Sequence, residues 1–152
     1  DIRIQMIMDG GHVHYPAMDI ALRCKGKEKI IATTDNTRWA GLPNGNYFDE
    51  NHRELIKSDS SIQIVNGSLA GSVMPMNKQI NNIRNSLNLS VEDSIYMATV
   101  TPAKLMGLYE KIGSIEKGKI ADLLILDGNF NISTAICRGA VRFESENEIH
   151  HD

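Results

Sequence analysis

Lys29-Ile30-Ile31-Ala32-Thr33-Thr34-Asp35-Asn36-Thr37 is a short β-branched run that ends at a carboxylate. A run of isoleucine and threonine without polar relief predicts a strand buried on both faces, as in parallel sheets. The carboxyl ends of such strands are where parallel α/β folds gather their binding and catalytic groups. Asp35 therefore has two readings. It is either a functional carboxylate at a strand end, or a cap for the following turn, a common use of aspartate.

The preceding residues decide the topology. Ile2, Ile4, Met6 and Met8 alternate with Arg3 and Gln5, which predicts a strand over residues 1–8. Asp9-Gly10-Gly11 breaks that strand, and His12-Val13-His14 leads to Tyr15-Pro16, where proline suits a first helical turn. Ala17, Ile20, Ala21 and Cys24 keep helical spacing, and Gly26 is a natural stop. Strand, helix and strand within some thirty residues make a βαβ crossover with two adjacent parallel strands. His12 and Asp35 then lie just beyond neighbouring strand ends, facing one mouth.

Downstream, residues 40–66 hold turn residues and short strands, including Ile62-Gln63-Ile64-Val65 before Asn66-Gly67, and form an excursion away from that mouth. Gly67-Ser68-Leu69-Ala70-Gly71-Ser72 is either a linker or a loop that offers backbone N–H groups to an anion. Val73, Met76, Ile80, Ile83 and Leu87 form a helical stripe. Ser90-Val91-Glu92-Asp93 resembles a capping box, and Thr101-Pro102 opens a further helix that Gly107 closes. Residues 121–127 predict a buried strand, residues 135–143 one or two more, and residues 144–152 a frayed polar tail.

With 152 residues, 41% hydrophobic and 23% charged, the composition is that of a globular domain. A net charge of -3 with no basic tract gives no sign of nucleic-acid binding, and no apolar run approaches a membrane span. Cys24 and Cys137 have no partner pattern and suit free thiols in a reducing, cytoplasmic setting better than a single disulfide.

Asp9-Gly10-Gly11-His12-Val13-His14, Thr33-Thr34-Asp35 and Leu69-Ala70-Gly71-Ser72 follow one another as in N-acetylglucosamine-6-phosphate deacetylases of the amidohydrolase superfamily. Residues 97–104 and 112–123 are similar as well, and those segments are shared across the superfamily. The resemblance covers nearly the whole chain but only the carboxyl-terminal portion of the family's protein. It implies an α/β fold: the last strands and helices of a (β/α)8 barrel over residues 1–110, then strands of a small β-sandwich over 111–143. A complete barrel needs roughly 250 residues, so a fragment or truncated product is expected.

The activity implied is hydrolysis of the acetamide of an amino-sugar phosphate, assisted by a divalent metal of the zinc or iron class. By position Asp35 is the proton-transfer residue. Asp9, Gly10, Gly11 and His12 match the segment that contacts the sugar phosphate, and Leu69, Ala70, Gly71 and Ser72 match a loop that closes on it. The family's metal ligands, a glutamate and two histidines on earlier strands, have no counterpart here, and neither does the arginine that a neighbouring subunit sends to the phosphate. A homodimer is expected of the complete enzyme, and inactivity of the isolated chain. After Asp35 the family continues through small residues, whereas Asn36-Thr37-Arg38-Trp39 stand here. His12-x-His14 has the spacing to chelate zinc, but the landmarks that follow place it elsewhere than the superfamily's His-x-His pair. His12 otherwise makes a structural hydrogen bond to its loop, and His14 sits in a turn or on the surface. The alternatives are an N-acetylgalactosamine-6-phosphate deacetylase, or a non-catalytic partial barrel that binds a sugar phosphate.

Overall fold

In a computed structural model describing residues 2–145, β1 (Ile4–Ile7) and β2 (Ile30–Thr33) pair in parallel, from Ile4 opposite Ile30 to Ile7 opposite Thr33. The crossover is α1 (Tyr15–Lys25), so the βαβ unit expected from the change in periodicity is present. Asp1 and the tail residues His150 and His151 lie outside the described residues. Pro16 occupies the first turn of α1, and Gly26, at φ 77°, ends it by donating its N–H to the Leu22 carbonyl. Ile30, Ile31 and Ala32 are all buried, which satisfies the prediction of a strand covered on both faces.

The buried face of α1 differs from the expected stripe. Met18 is buried, with Ala21 and Leu22 partly so, whereas Ala17 and Cys24 are exposed and Ile20 is 63% exposed. Tyr15 sets the phase of the helix. Its ring lies so close to Gly10 that a Cβ there would sit 2.7 Å from it, and residues 15, 18 and 22 share one helical face.

The main core joins Met6, Met8, Met18, Ile30 and Ala32 to Ile80, Ile83, Met97 and Phe130. It is closed by α2 (Met76–Leu87), α3 (Val91–Ala98) and α4 (Val100–Leu105). Val73 falls outside α2, because Pro75 marks the helix start, and packs in a separate cluster. Ser90 caps α3, its Oγ accepting from the Asp93 N–H at 3.0 Å, while Lys27 pairs with the Asp93 carboxylate. Thr101 and Pro102 lie inside the first turn of α4, and the buried Thr101 hydroxyl donates to the Lys27 carbonyl at 2.9 Å.

Residues 40–66 contain an antiparallel sheet of β3 (Gly45–Phe48), β4 (Glu54–Lys57) and β5 (Ile62–Ile64). Leu55, Ile62 and Val73 form its own small core, lined by Trp39, Tyr47 and Ala70. This sheet borders the residue 69–72 loop rather than standing apart from it: Ala70 N–H donates to the Ile62 carbonyl at 2.9 Å. A third sheet holds β6 (Leu123–Leu126), β7 (Ile132–Cys137) and β8 (Ala140–Glu144), all antiparallel. Arg138 and Gly139, both at positive φ, make its two-residue hairpin turn. The predicted buried strand at 121–127 is instead half open, with Leu124 and Ile125 both more than 50% exposed. A register shift between Ile125 and Leu126 breaks the inward–outward alternation there. Asp122 closes the turn by accepting from the Arg138 N–H at 2.8 Å, and both cysteines are free thiols.

Candidate functional site

Asp35 stands two residues beyond the last paired residue of β2, as Asp9 does beyond β1, so the two mark the same end of adjacent parallel strands. Its backbone takes φ 50°, a left-handed conformation that costs a non-glycine residue about 1 kcal/mol or more. The side chain is exposed, and among the described residues no hydrogen bond or ion pair engages its carboxylate. The capping role belongs to Thr34, whose hydroxyl accepts from the Asn36 N–H at 3.3 Å. Of the two readings of Asp35, the cap is therefore excluded, and a free carboxylate remains at the strand end.

Asp9 is arranged in the opposite way. Its side chain is only 2% exposed, and it accepts from the N–H groups of Gly11 at 2.9 Å and His12 at 3.0 Å. It also meets His12 Nδ1 at 2.8 Å. Burial pushes this carboxyl up, but the hydrogen bonds from the His12 backbone, the His12 ring and the Gly11 backbone outweigh it. The net position is below the ordinary value of 3.8. The loop bond weighed for His12 is thus present, and it leaves Nε2 as the ring's free nitrogen. Asp9 orients the loop through these bonds. His14 flanks α1, its carbonyl accepting from Ala17 and Met18, and its side chain is exposed.

The sign of the Asp9 shift predicts an acid-labile loop. A carboxyl lowered in the folded state contributes stability that is fully present above its unfolded value near 3.8 and is lost as pH falls through the lower folded value. In an acid titration followed by NMR, the Asp9 carboxyl carbon is expected to show its midpoint below 3.8. An Asp9 carboxyl titrating above 3.8 would contradict the arrangement.

Residues 69–72 are brought against Asp35. Ser72 N–H donates to the Asp35 carbonyl and Thr37 N–H to the Ser72 carbonyl, both at 2.9 Å, a short parallel bridge extending the line of β2. Gly71 has φ 95°, and a Cβ there would lie 2.7 Å from Thr37 Cγ2 and 3.1 Å from the Asp35 carbonyl. Gly71→Ala is therefore expected to destabilise by about 1–3 kcal/mol, measured by chemical denaturation. An unchanged midpoint would refute the close approach. Leu69 and Ala70 are half-buried and Ser72 is fully buried. The Ala70 and Ser72 N–H groups are spent on protein carbonyls.

One residue at this mouth was not singled out from the sequence. Gln79 is completely buried on α2; its Oε1 accepts from Met8 N–H at 2.9 Å. Its amide nitrogen reaches the carbonyls of Met74 at 3.1 Å and Thr34 at 3.3 Å, and Ser72 Oγ at 3.4 Å. The signal was its position, three residues after Met76 and four before Ile83, a polar side chain on the apolar face.

Two hollows lie nearby, and neither is lined by Asp35 or His12. One, of 560 Å³, is lined by Leu69 and Ala70 together with Arg38, Trp39, Asp49 and Arg53. Its guanidiniums are already paired, Arg38 with Glu50 and Arg53 with Asp49. The other, of 760 Å³, is apolar and lies between α2, α3 and β6. Chemistry at strand ends needs titratable groups, which the apolar hollow scarcely offers, so volume does not identify the reactive position. Among the described residues no three His, Cys, Asp or Glu side chains are gathered to hold a metal ion, and the donor set present does not make a metal site. Among the described residues no helix is long and apolar enough to cross a membrane.

The model of the Amidohydrolase family matches residues 12–142. An N-acetylglucosamine-6-phosphate deacetylase from Vibrio furnissii is 33% identical over 93% of this chain and 35% of its own length. One from Bacillus subtilis is 32% identical over 93% of the chain and 36% of its own. The crystal structure of N-acetylglucosamine-6-phosphate deacetylase from Pasteurella multocida superposes with a TM-score of 0.86 at 29% identity, covering 93% of this chain and 37% of that one. The chain thus spans about a third of the length of the curated relatives it matches.

Proposed function

The chain belongs to the amidohydrolase family, and from that premise we propose that it is part of a metal-dependent deacetylase. The reaction is hydrolysis of the acetamide of N-acetylglucosamine 6-phosphate to glucosamine 6-phosphate and acetate. The observation that carries this reading is Asp35: an uncommitted carboxylate beyond a parallel strand, on a chain similar to enzymes of that name. β1, α1 and β2 fit the closing units of a (β/α)8 barrel, and β6–β8 fit strands of an accompanying β-sandwich.

The chain's own residues divide the work. Asp35, whose carboxylate has no partner among the described residues, takes a proton from the water that attacks the acetyl carbonyl carbon. It then delivers that proton to the departing amine nitrogen as the C–N bond breaks. His12, oriented through Nδ1 by Asp9, presents Nε2 to the phosphorylated sugar. Residues 69–72 close over the substrate beside Asp35. A divalent ion of the zinc or iron class belongs to the complete enzyme, with ligands drawn from outside the described residues; a cytoplasmic homodimer is the assembly proposed.

The test is acetate release from N-acetylglucosamine 6-phosphate and its galactosamine epimer by the complete gene product, with bound metal measured alongside. Turnover of the glucosamine compound with stoichiometric metal is expected. Faster turnover of the epimer would reassign the substrate, and absence of both turnover and metal would favour the non-catalytic sugar-phosphate binder.

A further inference from the structure

Gln79 joins three segments that the sequence keeps far apart. One fully buried amide holds the end of β1 through Met8, the end of β2 through Thr34, and the 72–74 segment through Ser72 and Met74. The partners fix its orientation: Met8 supplies an N–H and requires the oxygen, whereas the Thr34 and Met74 carbonyls require the NH₂. Thr34 precedes Asp35, and Ser72 accepts Thr37 and donates to Asp35 through its backbone. The contacts to Thr34 and Ser72 therefore lead to Asp35, one through the adjoining peptide and the other through the Ser72 backbone hydrogen bond. A buried amide with this much of its capacity used resists rearrangement, since any shift strands a polar group away from water.

We propose that Gln79 is a positioning residue for Asp35, holding the carboxyl ends of β1 and β2 and the 72–74 segment in the arrangement that leaves the Asp35 carboxylate exposed at the strand ends. Resting on the deacetylase reading, it gives Gln79 no contact with substrate. Its effect is on geometry, where a displacement of an ångström costs up to about a hundredfold in rate.

The experiment compares Gln79→Met, Gln79→Glu and Asp35→Asn in the complete gene product, with N-acetylglucosamine 6-phosphate as substrate. Gln79→Met is expected to lower kcat about ten- to a hundredfold with KM changed less than about threefold, at temperatures where the variant is folded. Gln79→Glu keeps the acceptor for Met8 and regains a donor only when protonated. Its kcat relative to the parent should therefore rise as pH is lowered, a response that mere destabilisation would not produce. Unchanged kcat in a folded Gln79→Met protein, or a loss that simply tracks the unfolded fraction, would overturn the proposal. Unchanged turnover in Asp35→Asn would instead remove the deacetylase reading. The same variants examined by NMR in residues 1–152 then judge the positioning by itself. Shifts confined to residues 8–12, 34–37 and 71–74 support it, and shifts spread evenly over the chain refute it.

Discussion

Asp35→Asn is expected to lower turnover of N-acetylglucosamine 6-phosphate by the complete enzyme about a thousandfold, within the range for loss of a general acid–base group, while KM stays within a few-fold. Asparagine has nearly the same shape but cannot carry the proton from water to amine. The carboxylate makes no internal hydrogen bond among the described residues, so its removal leaves no partner stranded. The unfolding free energy should then move by less than about 0.5 kcal/mol, as for a surface substitution. Steady-state kinetics and a denaturation curve on the same preparation check both halves. A loss of activity matched by a loss of stability would place Asp35 in the framework, and an undiminished rate would remove it from the chemistry.

Ile30→Ala is expected to produce the largest change in stability, about 2–5 kcal/mol, with Ile30→Val costing about 0.5–1.5 kcal/mol. Ile30 is 0% exposed and lies opposite Ile4 in the parallel pair, within the cluster that includes Met18, Ile83 and Met97. The cluster is assembled from both strands and from α1, α2 and α3, so the space left by three missing carbons closes poorly. Against a total stability of about 5–15 kcal/mol for a domain, the alanine variant should be partly unfolded at 37 °C. Urea denaturation measures it, and a shift below about 1 kcal/mol would mean that the core repacks freely, against ordinary interior density.

The βαβ unit was legible because its boundaries are written in local chemistry. Met6 and Met8 alternate with Gln5, Pro16 admits a helix, Gly26 ends one, and Ile30–Ala32 has no polar face. The rotation of α1 was not, because Ala17, Ile20, Ala21 and Cys24 and the true set of Met18, Ala21 and Leu22 both have helical spacing. The packing of Met18 into the core of β1, β2 and α2, together with the close approach of Tyr15 to Gly10, separates them. At the candidate site, the spacing of Asp9 and His12 and the small residue at 71 were visible as motifs. That Asp9 would turn inward while Asp35 stays free was not visible, since both are aspartates after strands. The difference arises from the two glycines after Asp9, which let the chain curl back onto its carboxylate. Gln79 was hidden for a related reason: hydrophobic periodicity marks where a helix is buried and says nothing of which polar group has partners waiting there.

The small sheet of β3–β5 is hydrogen-bonded along β5 to the segment that ends beside Asp35, through Ser68, Leu69 and Ala70. The parallel pair β1–β2, at whose ends His12 and Asp35 stand, and the small sheet thus have separate cores joined by this short hydrogen-bonded segment. A substitution in β5 therefore reaches Asp35 through the 68–72 segment, whose Ser72 N–H is bonded to the Asp35 carbonyl.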